Sequence, residues 1–336
     1  MRTGALLLLT GVFACSDDAP TAPVTDVQTA ADAKAANEVT APSPVIDAMN
    51  ARLASSASNL RVAQIDLIWD AKYYDAASPT VLFANNRSHK LDYNWVSRDP
   101  RRGGRVGVSY AVNPQLTTTG FGLNLPVAPG FVSWTQDQLD SRIEESMSAW
   151  RAESCSDAPI ERVAVPAGVN PDLYDELLLG LPFGNYQQVS DIVQAGWRVP
   201  DFFEALVPGG GGGIIGVAIT FIFEDDDGDL TDIDGDKRLD TGLVEIYYNA
   251  NFFWNDAGNN GAVSFYSIIT HETGHSLGLA HFGKVFVTKK DAADGITVSD
   301  VKYAPKALMN AVYVTGRDDI AGSDRASFCQ IWADAN

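Results

Sequence analysis

From Leu60 onward, apolar residues fall in short alternating or β-branched runs bounded by turn residues, the period-two pattern of half-buried strands. "LRVAQIDLIW", "TVLFANN" and "LDYNWV" open the pattern, and "RVGVSYAVN" (105–113) reads as the first strand of a main domain. The period then becomes helical: Leu139, Ile143, Met147 and Trp150 recur at steps of four, four and three, one face of a helix, with Thr135 and Gln138 at capping-box spacing before them. Further strands are predicted at 160–166, 190–197, 213–223 and 243–250, and helices return near the C-terminus. A helix, strands and then two more helices predict an α+β layer packing. Residues 167–189 and 198–212 read as insertions. The second ends in Gly209 to Gly213, a flexible lead into the next strand rather than a phosphate loop, because no Lys-Ser/Thr follows.

The chain before Leu60 carries a different pattern. Arg2 and the run "ALLLLTGVF" form an export signal too short to span a bilayer, and Val12, Phe13, Ala14 and Cys15 resemble the lipobox of bacterial lipoproteins. Residues 1–15 are therefore read as a signal peptide with Cys15 the lipidated residue; simple secretion is the alternative. Residues 16–58, rich in Ala, Thr, Pro, Ser and Asp, read as a disordered tether. Residues 59–104 read as a β-rich extension or a removable pro-segment, and 105–336 as the main domain.

Charge narrows the function classes. Across 336 residues the formal net charge is -19 and the sequence pI about 4.4, which excludes a nucleic-acid partner, since phosphates are gripped by clustered Lys and Arg. The one dense basic run, "RDPRRGGR" (98–105), reads as a loop or a proteolytic nick site. With Cys15 lipidated, Cys155 and Cys329 remain as an even pair; in an oxidising compartment they form a disulfide, the alternative being two buried thiols.

The chain has four histidines, and three lie in "HETGHSLGLAH" (271–281). On a helix His271 and His275 are one turn apart and share a face, so two imidazoles can bind one metal. Glu272 sits beside them, placed to hold water rather than the ion. Gly278 can end the helix in a left-handed conformation and return His281 as a third ligand. Three neutral nitrogens with an open fourth position are the ligand set of a catalytic zinc, with Glu272 as general base. His89 is read as a surface histidine without a role.

At these residues the chain resembles the metzincin clan of zinc endopeptidases, whose pattern is H-E-x-x-H-x-x-G-x-x-H followed by a Met-turn. Met309 in "ALMNAVY" is similar to the matrixin Met-turn, "SDRASFCQIWA" (323–333) resembles the matrixin closing helix, "LVEIYYNANFFW" the strand before the zinc helix, and "GGGIIGVAITF" the active-site edge strand. The resemblance implies a metzincin-like catalytic domain over 105–336, built on a twisted, mostly parallel sheet, that hydrolyses peptides paired to the edge strand 213–223. It departs from matrixins in a longer spacing from His281 to Met309, through a hairpin around "VFVTKKDAADGITV". It departs also in Ala311 where they have Pro, in Phe282 where they have Ser, and in lacking a cysteine-switch motif.

Between two predicted strands, "EDDDGDLTDIDGDKRLD" (224–240) sets nine carboxylates against two basic residues. Asp232, Asp234, Asp236 and Asp240 have spacing suited to Ca²⁺, the alternative being a solvated acidic loop. The expected cofactors are thus Zn²⁺ and Ca²⁺. The expected partners are a peptide or protein substrate and a membrane reached only through the lipid anchor, for a monomer in the cell envelope or secreted. A surface binding module with a structural or inactive zinc site is the rival from another class; the presence of Glu272 favours the enzyme.

Overall fold

Strands of period two and helices of period 3.6 assemble into an α+β fold with a mostly parallel central sheet. The computed structural model describes residues 43–56, 58–70, 80–83, 91–114, 134–156, 159–178, 180, 185–256, 258–259, 261–292, 295–313 and 315–333, all within the unit Asn37–Asn336. The signal peptide, Cys15, His89 and most of the tether lie outside the described residues. The helices are α1 (Ser43–Ser55), α2 (Gln136–Arg151), α3 (Tyr174–Leu177), α4 (Pro200–Leu206), α5 (Gly210–Gly213), α6 (Phe265–Ser276) and α7 (Gly322–Trp332). The strands are β1 (Leu60–Asp70), β2 (Thr80–Phe83), β3 (Tyr93–Asn94), β4 (Val108–Val112), β5 (Ile160–Arg162), β6 (Ile192–Arg198), β7 (Ile214–Phe223), β8 (Leu239–Asn249), β9 (Trp254–Asn255), β10 (Val263–Ser264), β11 (Lys284–Ala292), β12 (Gly295–Ala304) and β13 (Val312–Tyr313).

The main sheet has the order β13-β1-β7-β8-β6-β4-β5. Its pairs are parallel from β8 through β6 and β4 to β5 and between β13 and β1, while β7 runs antiparallel to both its neighbours. Alternation along the strands supplies two cores. Val244, Ile246 and Tyr248 of β8 join one that contains Leu139, Ile143, Met147 and Trp150 of α2, Ile268 of α6 and Phe328 of α7. Leu243 and Tyr247 join the other, with Met49 and Leu53 of α1 and Phe202, Phe203 and Leu206 of α4. The predicted capping box of Thr135 and Gln138 starts α2. The hairpin after His281 is β11 with β12, and β2 pairs antiparallel along β11.

Four expectations are corrected. The tether does not run to residue 58, because 43–55 form α1. Ile46, Met49 and Leu53 recur at helical spacing, and Asn50 exchanges hydrogen bonds with the backbone of Val62 (2.7 and 3.1 Å). The stretch 59–104 is no separate extension: β1 lies inside the main sheet, and β3 pairs with β8, so the main domain does not begin at 105. Consequently the strand expected to be an edge, 213–223, is interior, with β1 on its outer side from Leu60↔Phe223 to Trp69↔Ile214. The glycine run is folded rather than a flexible lead: Gly210–Gly213 form α5, and the Glu204 carboxylate accepts from the amides of Gly209 and Gly211.

The basic run folds around a single turn, Pro100–Arg102, with Arg102 inside and Arg98 exposed. Arg102 is buried and donates to Asp191 (2.9 Å) and to the carbonyls of Val96 and Gly107, with its guanidinium 4.7 Å from the Trp95 ring centroid. Such an arginine forms part of the core polar network, since a buried cation is tolerated only when paired and hydrogen-bonded.

Candidate metal centre

The α6 helix starts on a side-chain cap, Ser264 Oγ accepting from the Ser267 amide, and ends where Gly278 adopts φ +91°. The Gly278 amide donates to the His275 carbonyl (2.9 Å), and the next amide, of Leu279, to the Gly274 carbonyl (3.0 Å), a turn that closes the helix and reverses the chain. Phe282 N–H donates to the Met309 carbonyl (2.7 Å), and Asn310 Nδ2 to the Phe282 carbonyl (2.6 Å), so the residue after His281 is tied to the turn at Met309. Three indoles brace the helix from outside. Trp150 donates to the Thr270 carbonyl (3.0 Å), Trp95 to that of Ser276 (2.7 Å) and Trp332 to that of Leu277 (3.0 Å).

These restraints bring His271, His275 and His281 together. Their Nε2 atoms lie 3.1 to 3.2 Å apart. His271 donates from Nδ1 to the Leu308 carbonyl (2.7 Å) and His275 from Nδ1 to that of Leu279 (2.8 Å), which leaves an unprotonated Nε2 on each. Burial, reinforced by neighbouring rings, holds the pKa of His271 and His281 well below the ordinary range, and burial lowers that of His275 to about 4, so the rings are neutral at physiological pH. Lone pairs of neutral imidazoles that converge at this distance repel unless a cation lies between them. The three residues could hold a metal ion, and the spacing suits one bound at about 2.0–2.1 Å from each nitrogen.

Two buried carboxylates face the trio. Neither oxygen of Glu272 has a hydrogen-bond partner among the described residues, and burial followed by the charge of Asp66 raises its pKa strongly. Asp66, on β1 and 1% exposed, places its oxygens 4.0 Å from Nδ1 of His275 and of His281. Burial raises its pKa to about 7 against the opposing hydrogen bond from Gln64, and its Oδ2 has no partner among the described residues. Orphaned acceptors beside converging lone pairs make a strongly electronegative cavity, the environment that a divalent cation stabilises.

Sequence reasoning missed Asp66, which stands far from the motif in an ordinary strand pattern. It also missed Asp324 of α7, whose carboxylate accepts from the amides of Leu308 (2.8 Å), Met309 (3.1 Å) and Ala321 (2.9 Å) and so sets the turn that receives His271. Met309 itself is buried against α6. Cys155 and Cys329 are joined in a disulfide, Cα–Cα 5.5 Å, which ties the end of α2 to α7.

Three of the four acidic residues expected to bind calcium come together in the loop and could hold a metal ion. Asp232, Asp234 and Asp240 bring oxygens within 4.8 Å of one another, while Asp236 falls outside the group and accepts from Asn94 Nδ2 (2.8 Å). Asp240 is buried against Arg101 (2.7 Å), Thr231 Oγ1 (2.6 Å) and the Ile233 amide. Asp232 accepts from the amides of Gly235 (2.8 Å) and Lys237 (3.0 Å). Arg101 and backbone amides thus partner Asp240 and Asp232.

No protein-family model matches the chain, and no curated protein matches its sequence.

Proposed function

We propose that this chain is a zinc-dependent endopeptidase of metzincin type, exported, and anchored by lipid on Cys15. The observation that carries the reading is the convergence of three neutral Nε2 atoms on the helix that also carries the buried carboxylate of Glu272, which has no hydrogen-bond partner among the described residues. His271, His275 and His281 fit zinc, a metal that favours imidazole ligands, and the set leaves room for a water or substrate. Zinc held there supplies Lewis acidity to a scissile carbonyl and acidifies water.

The chain's own residues supply the rest. Glu272 accepts a proton from the attacking water at a carboxylate oxygen and returns it to the departing amine as the C–N bond breaks. The carbonyls of Leu308 and Leu279 hold the rings of His271 and His275 in the tautomer that exposes Nε2. A Cβ on Gly216 would lie 2.9 Å from Glu272 Oε1 and 3.1 Å from Ile268 Cγ2, so β7 runs close beside the base at this glycine. The disulfide is in keeping with export, since such bonds persist in oxidising compartments.

Zinc content and hydrolysis of an unstructured protein, measured on purified variants, test the reading. Glu272→Ala should keep stoichiometric zinc and lose about 10²–10⁴-fold in rate, the usual scale of general acid–base catalysis. His275→Ala should lose both properties. Full hydrolysis by Glu272→Ala would sink the mechanism; stoichiometric zinc with no hydrolysis by any form would favour a binding module.

A further inference from the structure

Each histidine of the trio must carry its proton on Nδ1 if Nε2 is to face a metal, and a buried ring N–H needs an acceptor. Two of the three have one in the backbone. His271 donates from Nδ1 to the Leu308 carbonyl (2.7 Å) and His275 to that of Leu279 (2.8 Å). His281 is buried like the others, yet its Nδ1 has no hydrogen-bond partner among the described residues. An N–H left in that state is costly and favours the other tautomer, in which Nε2 carries the proton and cannot bind a metal.

The fold sets an acceptor toward this nitrogen from far away in the sequence. Asp66 stands on β1 opposite Ala218 of β7, on the side of the sheet where Ile68 joins the core of the motif helix, while Ile65 and Leu67 join the other core. Its Oδ1 lies 4.0 Å from Nδ1 of His281 and its Oδ2 4.0 Å from Nδ1 of His275, and Oδ2 has no hydrogen-bond partner among the described residues. Because Leu279 already serves His275, the donor still to be met is that of His281. Gln64, on the same strand, donates to Oδ1 (2.5 Å) and steadies the carboxylate. A small turn of either side chain, or one bridging water, spans the remaining gap. A carboxylate only 1% exposed between Ile65 and Leu67 is expensive for a strand that merely packs. That cost is offset when a divalent ion is held on the far side of the ring it faces.

We infer that Asp66 is a positioning residue of the metal centre: it accepts the hydrogen bond from Nδ1 of His281, as the carbonyls of Leu308 and Leu279 do for the other two rings, and so presents Nε2 of His281 to the ion. The inference rests on the three-histidine metal reading in the proposed function, and not on peptide hydrolysis. It adds to the motif a support that lies some two hundred residues before it in the chain.

The test compares full chains of wild type, Asp66→Asn, Asp66→Ala and, as a control, Arg61→Ala, at the far end of β1 where Arg61 pairs with Glu224 (2.6 Å). Zinc affinity is measured by competition with a chromophoric chelator, thermal melts are run with and without zinc, and exchange of the ring Nδ1 protons is followed by NMR in isotope-labelled zinc protein. Asp66→Ala should bind zinc about 10–100-fold more weakly, the usual scale for loss of a partner behind a metal ligand. Asp66→Asn, which keeps an acceptor oxygen, should recover part of that loss, and Arg61→Ala should match wild type. The His281 Nδ1 proton should exchange about tenfold faster in Asp66→Ala, on the same scale, while those of His271 and His275 keep their wild-type rates. Without zinc, Asp66→Asn preserves shape and removes a buried charge, so it should melt no lower than wild type; with zinc it should melt lower.

Equal zinc affinity in wild type and Asp66→Ala, or a fall in the Tm of Asp66→Asn that is the same with and without zinc, overturns the role of Asp66 and leaves the metal centre standing. A wild type that takes up no zinc overturns the metal reading and this role together. Weaker zinc binding in Asp66→Ala with partial rescue in Asp66→Asn upholds the positioning role even if no form hydrolyses protein, an outcome that would overturn the peptidase alone.

Discussion

A Cβ built on Gly274 would lie 2.4 Å from Sδ of Met309 and 3.1 Å from Cζ2 of Trp150. The zinc-motif helix and the turn that follows the hairpin thus touch between the two helical histidines, and the contact requires a residue without a side chain.

Gly274→Ala should therefore destabilise the protein, although alanine is ordinarily better than glycine inside a helix by about 1 kcal/mol. Overpacking against the sulfur should outweigh that gain and leave a net loss of about 1–3 kcal/mol. Because the Leu308 carbonyl next to Met309 accepts from His271, zinc affinity should fall in parallel. Thermal melts and a competitive chelator titration check this; a higher Tm for Gly274→Ala would show that the turn yields freely.

Asp324 acts on the site from the last helix. Asp324→Ala would strip the amides of Leu308, Met309 and Ala321 of their acceptor. Each buried donor left unsatisfied costs about 1–3 kcal/mol, so a drop in Tm is expected, together with weaker zinc binding through the displaced Leu308 carbonyl. Asp324→Asn, which keeps one acceptor oxygen, should lie between. Unchanged zinc affinity in a folded Asp324→Ala would separate the turn from the metal centre.

Glu245 offers a pH dependence away from the metal. Its oxygens accept from the Leu173 amide (2.8 Å) and the Tyr247 hydroxyl (2.7 Å), and burial, followed by the charge of Asp172, pushes its pKa up to about 8. In the unfolded chain a glutamate titrates near about 4.3. Between these values the folded state binds a proton that the unfolded state has released, so this contribution to stability is full below about pH 4 and is lost as pH rises to about 8. Glu245→Gln removes the loss. Its Tm relative to wild type should be more favourable at pH 8 than at pH 5, and an equal difference at both would refute the assignment.

How much of this was legible before folding depends on the range of the interaction involved. His271, Glu272, His275, Gly278 and His281 lie within eleven residues, and helix geometry together with one left-handed glycine already brings them to one place. The face of α2 and its capping box were legible for the same reason, as their spacing is local. The helix α1 was legible too in the steps Ile46, Met49 and Leu53, but the small polar residues around them read as a tether.

Tertiary structure decided the rest. Nothing local in "LRVAQIDLIWD" says which strand it will pair with. A strand's partner is chosen by which edge it covers and which side chains meet across it, here β7, more than 140 residues later in the chain. That choice turned an expected extension into a sheet strand, an expected edge into an interior, and Asp66 into a neighbour of the histidines. It also set the pairings of Arg102 with Asp191 and of Arg101 with Asp240, which tie the basic run and the acidic loop to the rest of the fold. The sequence determined which groups could do chemistry because their spacing is short and helical. Which of them face one another across the sheet was settled only when distant segments competed for the same hydrogen-bonding edge and the same apolar contacts.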